Sequence, residues 1–248
     1  MIHHIVGAKN LAFTYPDATR ALHDISFRIR HSESVAIVGA NGAGKSTLLL
    51  PLNGYLTPTS GQVRIGDHPL TREVLQEDRR TVGMVSQDPD DQLFMSTVYD
   101  DVAFSPLNLG LPLEEVQTRV LKALETVEVL ELKDRAPHRL SSGQKRRVAI
   151  ATVLSMSPDI LVMDEPTSGL DPRARRQLME LLKTFKHSKI IATHDLDMVL
   201  DIGERTILIN AGKIEADGPT AEIFRNEKLV NDCHLENPLR MQNCPIYA

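Results

Sequence analysis

The stretch that most constrains the fold is Gly39-Ala40-Asn41-Gly42-Ala43-Gly44-Lys45-Ser46-Thr47, which fits the pattern G-x-x-x-x-G-K-[ST]. Its context gives the match meaning. Ser34-Val35-Ala36-Ile37-Val38 is a short apolar, partly β-branched run that predicts a strand, and Lys45 to Asn53 is leucine-rich and predicts a helix that Pro51 bends or shortens. Gly42 and Gly44 allow the backbone to wrap closely around a phosphate chain, and the loop N–H groups with the following helix N-terminus bind the anion. Lys45 then reaches the β- and γ-phosphates, and the Ser46 hydroxyl holds Mg²⁺.

Chain length limits what can surround this loop. At 248 residues there is room for one substantial domain with an inserted subdomain, and no run of about 18 apolar residues is available to cross a bilayer. Met1 to Gly7 lacks the charged n-region and apolar stretch of a signal peptide, so residence in the cytoplasm is expected. The net charge of -5 argues against a dedicated nucleic-acid binder. Cys233 and Cys244 make no disulfide framework, and Cys233-His234 with Cys244 lacks the paired spacing or fourth ligand of a zinc site.

Before the loop, Ile5 to Tyr15 and Leu22 to Arg30 predict two strands joined by a turn at Pro16-Asp17. Ile25, Phe27 and Ile29 alternate with polar residues as in a half-exposed antiparallel strand. Tyr15 either packs as a strand aromatic or stacks on a nucleotide base. After the loop, Gly61 to Ile65 and Thr81 to Val85 predict strands, the second running into Ser86-Gln87-Asp88-Pro89-Asp90-Asp91-Gln92. From 97 to 156 the period turns helical, with Pro106 and Pro112 read as breaks and a helix near Leu113 to Val129.

Inside that insertion, Ser141 and Gln144 fit a capping box for a helix running to about Met156. The same residues with Ser142 and Gly143 also suit a second anion site at a helix N-terminus. Ile160 to Met163 predicts a fully buried strand ending in Asp164-Glu165. Ligands of open α/β sheets lie beyond the carboxyl ends of the strands, which suits Asp164 to Mg²⁺ and Glu165 to activating a water. Asp171-Pro172 predicts the N-cap and first residue of a helix to about Lys186. Lys189 to Thr193 predicts another buried strand, with His194 at its end as a candidate γ-phosphate contact. Ile207 to Ile209 and Ile214 to Ala216 predict a terminal hairpin.

Together these residues resemble the nucleotide-binding subunit of an ATP-binding-cassette (ABC) transporter over about residues 5–225. Gly39 to Ser46 match Walker A, Gln87 the Q-loop, Leu140 to Gln144 the signature, Ile160 to Asp164 Walker B with Glu165 next, Ser168 to Asp171 the D-loop, and His194 the switch histidine. Tyr15 matches the aromatic that stacks on adenine. Ser142 stands where the family signature usually has glycine.

The resemblance implies an α/β fold: a P-loop NTPase core of ABC type with an antiparallel β subdomain and an inserted α-helical subdomain. Residues 1–225 would form the nucleotide-binding domain and 226–248 a tail without assigned role. It implies ATP and Mg²⁺ as cofactors. Nucleotide contacts would come from Tyr15, Gly39, Asn41, Gly42, Ala43, Gly44, Lys45, Ser46 and Thr47, and from Gln87, Ser141, Ser142, Gly143, Gln144, Asp164 and Asp171. Mg²⁺ would be held by Ser46, Gln87 and Asp164, and the reaction carried by Glu165, His194, Gln87 and Lys45.

Partners implied are transmembrane transporter subunits and a second cassette, identical or related, in a head-to-tail dimer at the cytoplasmic face of the membrane. No nucleic acid is expected. Leu52-Asn53-Gly54 followed by Pro58-Thr59-Ser60-Gly61, then Gln87 to Phe94, Asp101 to Phe104 and Gln144 to Arg147, are most similar to energy-coupling-factor importers for cobalt and nickel. Vitamin import by the same transporter class is the nearest alternative. A clamp acting on nucleic acid or ribosomes, which usually carries two cassettes or a long coiled-coil insertion, is a more distant one.

Overall fold

The structure, a computed structural model, describes residues 4–71, 80–185 and 187–242. It divides into two compact units, one built from Met1–Asp78 with His187–Ala248 and the other from Arg79–Lys186.

In the first unit, β1 (His4–Thr14) pairs antiparallel with β2 (Arg20–Arg30) and with β4 (Ser60–Ile65), whose other edge carries β5 (His68–Pro69). Leu22, Ile25, Phe27 and Ile29 of β2 are buried while Ser26, Arg28 and Arg30 are exposed, as period-2 patterning requires. A second group of strands is parallel at its centre. There β3 (Ser34–Val38), buried along its whole length, lies between β8 (Ser188–Thr193) and β9 (Arg205–Asn210), and β9 turns back into β10 (Lys213–Pro219).

Helix α1 (Lys45–Leu49) follows β3 and passes into a 3-10 turn over Leu50–Asn53. Pro51 lacks the N–H that a continuing α-helix would need. Gly54, at φ 73°, then closes the turn by donating its N–H to Leu50 O and Pro51 O.

Asn226 does not end the packed structure. Helix α6 (Leu196–Ile202) is followed at the end of the chain by α7 (Thr220–Arg225) and α8 (Glu227–Asp232). Val230 and Cys233 join Phe224, Ile223, Leu196 and Val199 in one apolar cluster with Ala36 and Val38 of β3. Cys233 is therefore a core residue, and Cys244 lies outside the described residues. Among the described residues no group of three or more His, Cys, Asp or Glu is arranged to hold a metal ion.

In the second unit, β6 (Val82–Val85) pairs in parallel with the fully buried β7 (Ile160–Asp164). Three helices lie between them in sequence: α2 (Val98–Asn108), α3 (Leu113–Thr126) and α4 (Ser142–Leu154). Helix α5 (Pro172–Thr184) follows β7.

Pro106 corrects the sequence expectation of a break, because it sits inside α2. A proline at 106 cannot donate to the carbonyl four residues back, and that carbonyl, Val102 O, accepts the Ser155 hydroxyl at 2.9 Å instead. Helix α3 stops at Thr126, earlier than Val129, and Glu128 adopts φ 56° just beyond. Among the described residues no helix is long and apolar enough to cross a membrane.

Candidate nucleotide site

In the first unit the phosphate loop leaves the sheet after Val38, whose register partner on β8 is Thr193. Gly39 and His194 thus emerge at the same level, beyond the carboxyl ends of two parallel strands, where ligands of such sheets bind. Gly44 takes φ 102° and Gly42 φ 80°, backbone that a side chain disfavours. A Cβ built on Gly42 meets nothing within 4 Å, whereas one on Gly44 would stand 2.9 Å from Ala21 O. The loop is open on one side and braced on the other.

Lys45 is buried, and its Nζ donates to Gly39 O at 2.8 Å and Ala40 O at 3.2 Å, so the ammonium sits within the curl of the loop. Ser46 is exposed and Thr47 buried. The Tyr15 and Thr47 hydroxyls bond at 2.9 Å, while the Tyr15 ring packs edge-on against Phe13. Tyr15 is 36% exposed, so one end of the ring is fixed by α1 and a part of its surface is left for stacking. His194 is exposed between Thr193 and Asp195, whose carboxylate caps α6 by accepting from Met198 N at 2.9 Å.

The second unit repeats the arrangement on β6 and β7. Val85 is in register with Met163, so Gln87 and the Asp164-Glu165 pair both follow the carboxyl ends of parallel strands. Asp164 and Glu165 are both buried. Glu165 holds φ 44°, a conformation costing a non-glycine residue about 1–3 kcal/mol and typical of positions where function fixes a side chain. Its carbonyl accepts from Ser168 N at 3.0 Å, closing the turn into Ser168-Gly169.

Ser141 and Gln144 form the expected capping box: Gln144 N donates to Ser141 Oγ at 3.3 Å and Ser141 N donates to Gln144 Oε1 at 3.0 Å. Asp171 caps α5, accepting from Arg173 N and Ala174 N, both at 2.9 Å. A Cβ on Gly143 would stand 3.2 Å from Ala174 Cβ, so the start of α4 packs closely on the start of α5. Gln87, Ser142 and Ser168 line one cleft of ≈ 470 Å³.

Two residues with no role assigned from sequence stand out here. Arg146 is buried and donates to Ser86 O at 2.8 Å and Gln87 O at 2.5 Å; Lys145 pairs with Asp90 at 2.6 Å. These contacts join positions far apart in the chain, so no local pattern could announce them.

Residues 22–168 match the family model described as ABC transporter. An ABC transporter ATP-binding protein of Geobacter sulfurreducens is 67% identical over 99% of each chain. The chain belongs to the ABC transporter family. Energy-coupling factor transporter ATP-binding protein EcfA1 of Methanospirillum hungatei is 45% identical over 95% of this chain and 87% of that one.

Among solved structures, CbiO1 of Clostridium perfringens, part of the ABC transporter complex CbiONQ, superposes with TM-score 0.81 at 40% identity, covering 93% of this chain and 94% of that one. A dimeric ATP-binding cassette bound to ADP and Pi in a post-hydrolysis state gives 0.79 at 31% identity, covering 87% and 98%. The fold is thus the ABC ATPase fold expected from sequence, and this family member is an ATPase subunit of a transporter.

The residues expected at Mg²⁺ offer a hydroxyl (Ser46), an amide oxygen (Gln87) and a carboxylate (Asp164). Such an all-oxygen set suits a hard cation and lacks the thiolates or imidazoles that draw softer metals.

Proposed function

We propose that this ABC ATPase subunit drives import of cobalt or nickel ions from the cytoplasmic face of the membrane, peripherally attached to transmembrane partners. The observation that carries the transport reading is the likeness, along nearly the whole chain, to CbiO1 of the CbiONQ complex. The metal cargo rests on the sequence marks around Gln87 to Phe94 and Asp101 to Phe104. Vitamin import by a transporter of the energy-coupling-factor class, the name that relatives carry, is the second reading.

In the proposed reaction Gly39 to Thr47 cradle the triphosphate and Tyr15 stacks on the base. Lys45 neutralises phosphate charge. Ser46, Gln87 and Asp164 would hold Mg²⁺, which would supply positive charge to offset that of the phosphate oxygens. Glu165 accepts a proton from the attacking water, and His194 contacts the γ-phosphate. Ser141 to Gln144 and Asp171 act on the nucleotide held by a second cassette in a head-to-tail dimer.

The deciding experiment reconstitutes the full transporter in vesicles and measures ATP-dependent uptake of cobalt, nickel and a panel of vitamins. Uptake of either metal supports the proposal. Vitamin uptake with no metal uptake replaces the cargo, and ATP turnover unlinked to any uptake overturns the transport reading.

A further inference from the structure

The guanidinium of Arg146 spans the two carbonyls that flank the Gln87 Cα, Ser86 O and Gln87 O. Fixing the peptide on each side of one residue fixes its φ and ψ, and so the direction of its Cα–Cβ bond. The remainder of the loop is held as well. Ser86 N donates to Gln92 Oε1 at 2.9 Å, Gln92 Nε2 donates to Met84 O at 3.1 Å, and Asp88 accepts from Asp90 N at 2.9 Å. Lys145, the neighbour of Arg146 on α4, grips Asp90 with Nζ–Oδ distances of 2.6 and 3.0 Å.

Arg146 is 4% exposed, and its Nε finds no hydrogen-bond partner among the described residues. A buried cation held with one donor unsatisfied is costly, so its position calls for a reason beyond packing. Asp88 and Asp164 supply the opposing charge, while burial disfavours the cation. One side chain from the first turns of α4 therefore meets both the Gln87 backbone and the field of the carboxylate that ends β7.

We infer that Arg146 is a positioning residue for ATP hydrolysis, setting the direction of the Gln87 side chain from the signature helix. The inference rests on the proposed role of Gln87. Arginine suits the task because its planar fork reaches two acceptors at once; a lysine ammonium is a point charge that reaches one well. The Lys145–Asp90 pair is the weaker, outer tether, since Asp90 is largely exposed.

The test uses the full chain and a double-mutant cycle: Arg146→Met, Gln87→Ala and the pair. The readouts are kcat, nucleotide affinity, thermal midpoint and hydrogen exchange of the 86–92 backbone. Displacing a ligand-bearing side chain by about an ångström can cost up to 10²-fold, so Arg146→Met should lower kcat roughly tenfold to a hundredfold. Nucleotide affinity should stay within about twofold, and amides in 86–92 should exchange faster.

On the Gln87→Ala background the same change should cost less than about twofold, because residues acting through one another are not additive. Arg146→Lys should fall between parent and Arg146→Met. Equal losses on both backgrounds, or parent kcat in folded Arg146→Met, would overturn the inference while leaving the Gln87 role intact. Parent kcat in Gln87→Ala would overturn that role and the inference with it. Should Arg146→Met fail to fold, Arg146→Lys in the same cycle decides by the same criteria.

Discussion

Gly212 lies outside every recognised motif, yet it supports the phosphate loop, and Gly212→Ala tests that support. The β9–β10 turn places Gly212 at φ 74°. Its N–H donates to Ala43 O at 2.9 Å and its carbonyl accepts from His23 N at 2.8 Å, tying the turn to both the loop and β2. An added Cβ would run into the Ala21 carbonyl and stand 2.8 Å from His23 Cδ2.

Left-handed backbone costs a non-glycine residue about 1–2 kcal/mol. Relief of the clash puts both hydrogen bonds at risk, at about 0.5–1.5 kcal/mol each. Together these give about 2–5 kcal/mol, or a fall in Tm of roughly 4–10 °C at this chain length. Gly66→Ala is the control, because Gly66 has φ 58° but nothing within 4 Å of its Cβ; it should cost only the backbone share, about 1–2 kcal/mol. Thermal unfolding and equilibrium nucleotide binding read the difference, with Gly212→Ala expected to weaken nucleotide binding several-fold and Gly66→Ala to leave it unchanged. If the two variants unfold at the same temperature and bind alike, Gly212 does not brace the loop.

Lys45→Ala should weaken ATP binding itself, because it would remove the proposed charge-assisted phosphate contact; parent affinity in equilibrium binding would contradict the loop assignment. Asp101 accepts from Phe94 N and Met95 N through Oδ1, while burial pushes its pKa above the usual 3.8. A raised folded-state pKa means the ionised form costs stability, and that cost vanishes as pH falls through the window just above 3.8. Asp101→Asn keeps the acceptor oxygen, so it should be at least as stable as the parent at pH 7. Its advantage should shrink in urea titrations at acid pH, and an advantage that grows there would refute the assignment. In a dimer of identical chains, Lys45→Ala and Ser142→Asp should each be inactive but recover partial single-turnover hydrolysis when mixed, since one shared site carries neither lesion. Ser142 is exposed at the first turn of α4, where a carboxylate suits the helix dipole, so loss of activity there is not a folding defect. A verified mixed dimer without recovery would count against shared sites.

The parts legible in sequence were those written locally. A strand, two positive-φ glycines and a helix follow one another between Ser34 and Leu49, and the Ser141–Gln144 box needs only its own four residues. Pro106 misled because its meaning depends on Ser155, which rescues the orphaned Val102 carbonyl from another helix. The packing beyond Asn226 was invisible because α8 has six residues, too few to display a helical period around Val230. Arg146 and Gly212 were silent for a related reason: each acts on backbone carbonyls or amides, which carry no signature in side-chain type. Tyr15 held two readings from position alone, and its bond to Thr47 shows only where the hydroxyl goes.

Glu165 is the proposed acceptor of the proton from the attacking water in ATP hydrolysis, and Glu165→Gln tests that role. Glutamine keeps the shape of a side chain held on left-handed backbone at φ 44° but loses its basicity. Nucleotide binding and single-turnover hydrolysis, measured on the same preparation with Mg²⁺, separate the two steps. ATP affinity should stay within about twofold of the parent and hydrolysis should slow by about 10²–10⁴, the usual contribution of a positioned general base. Hydrolysis at the parent rate would contradict it.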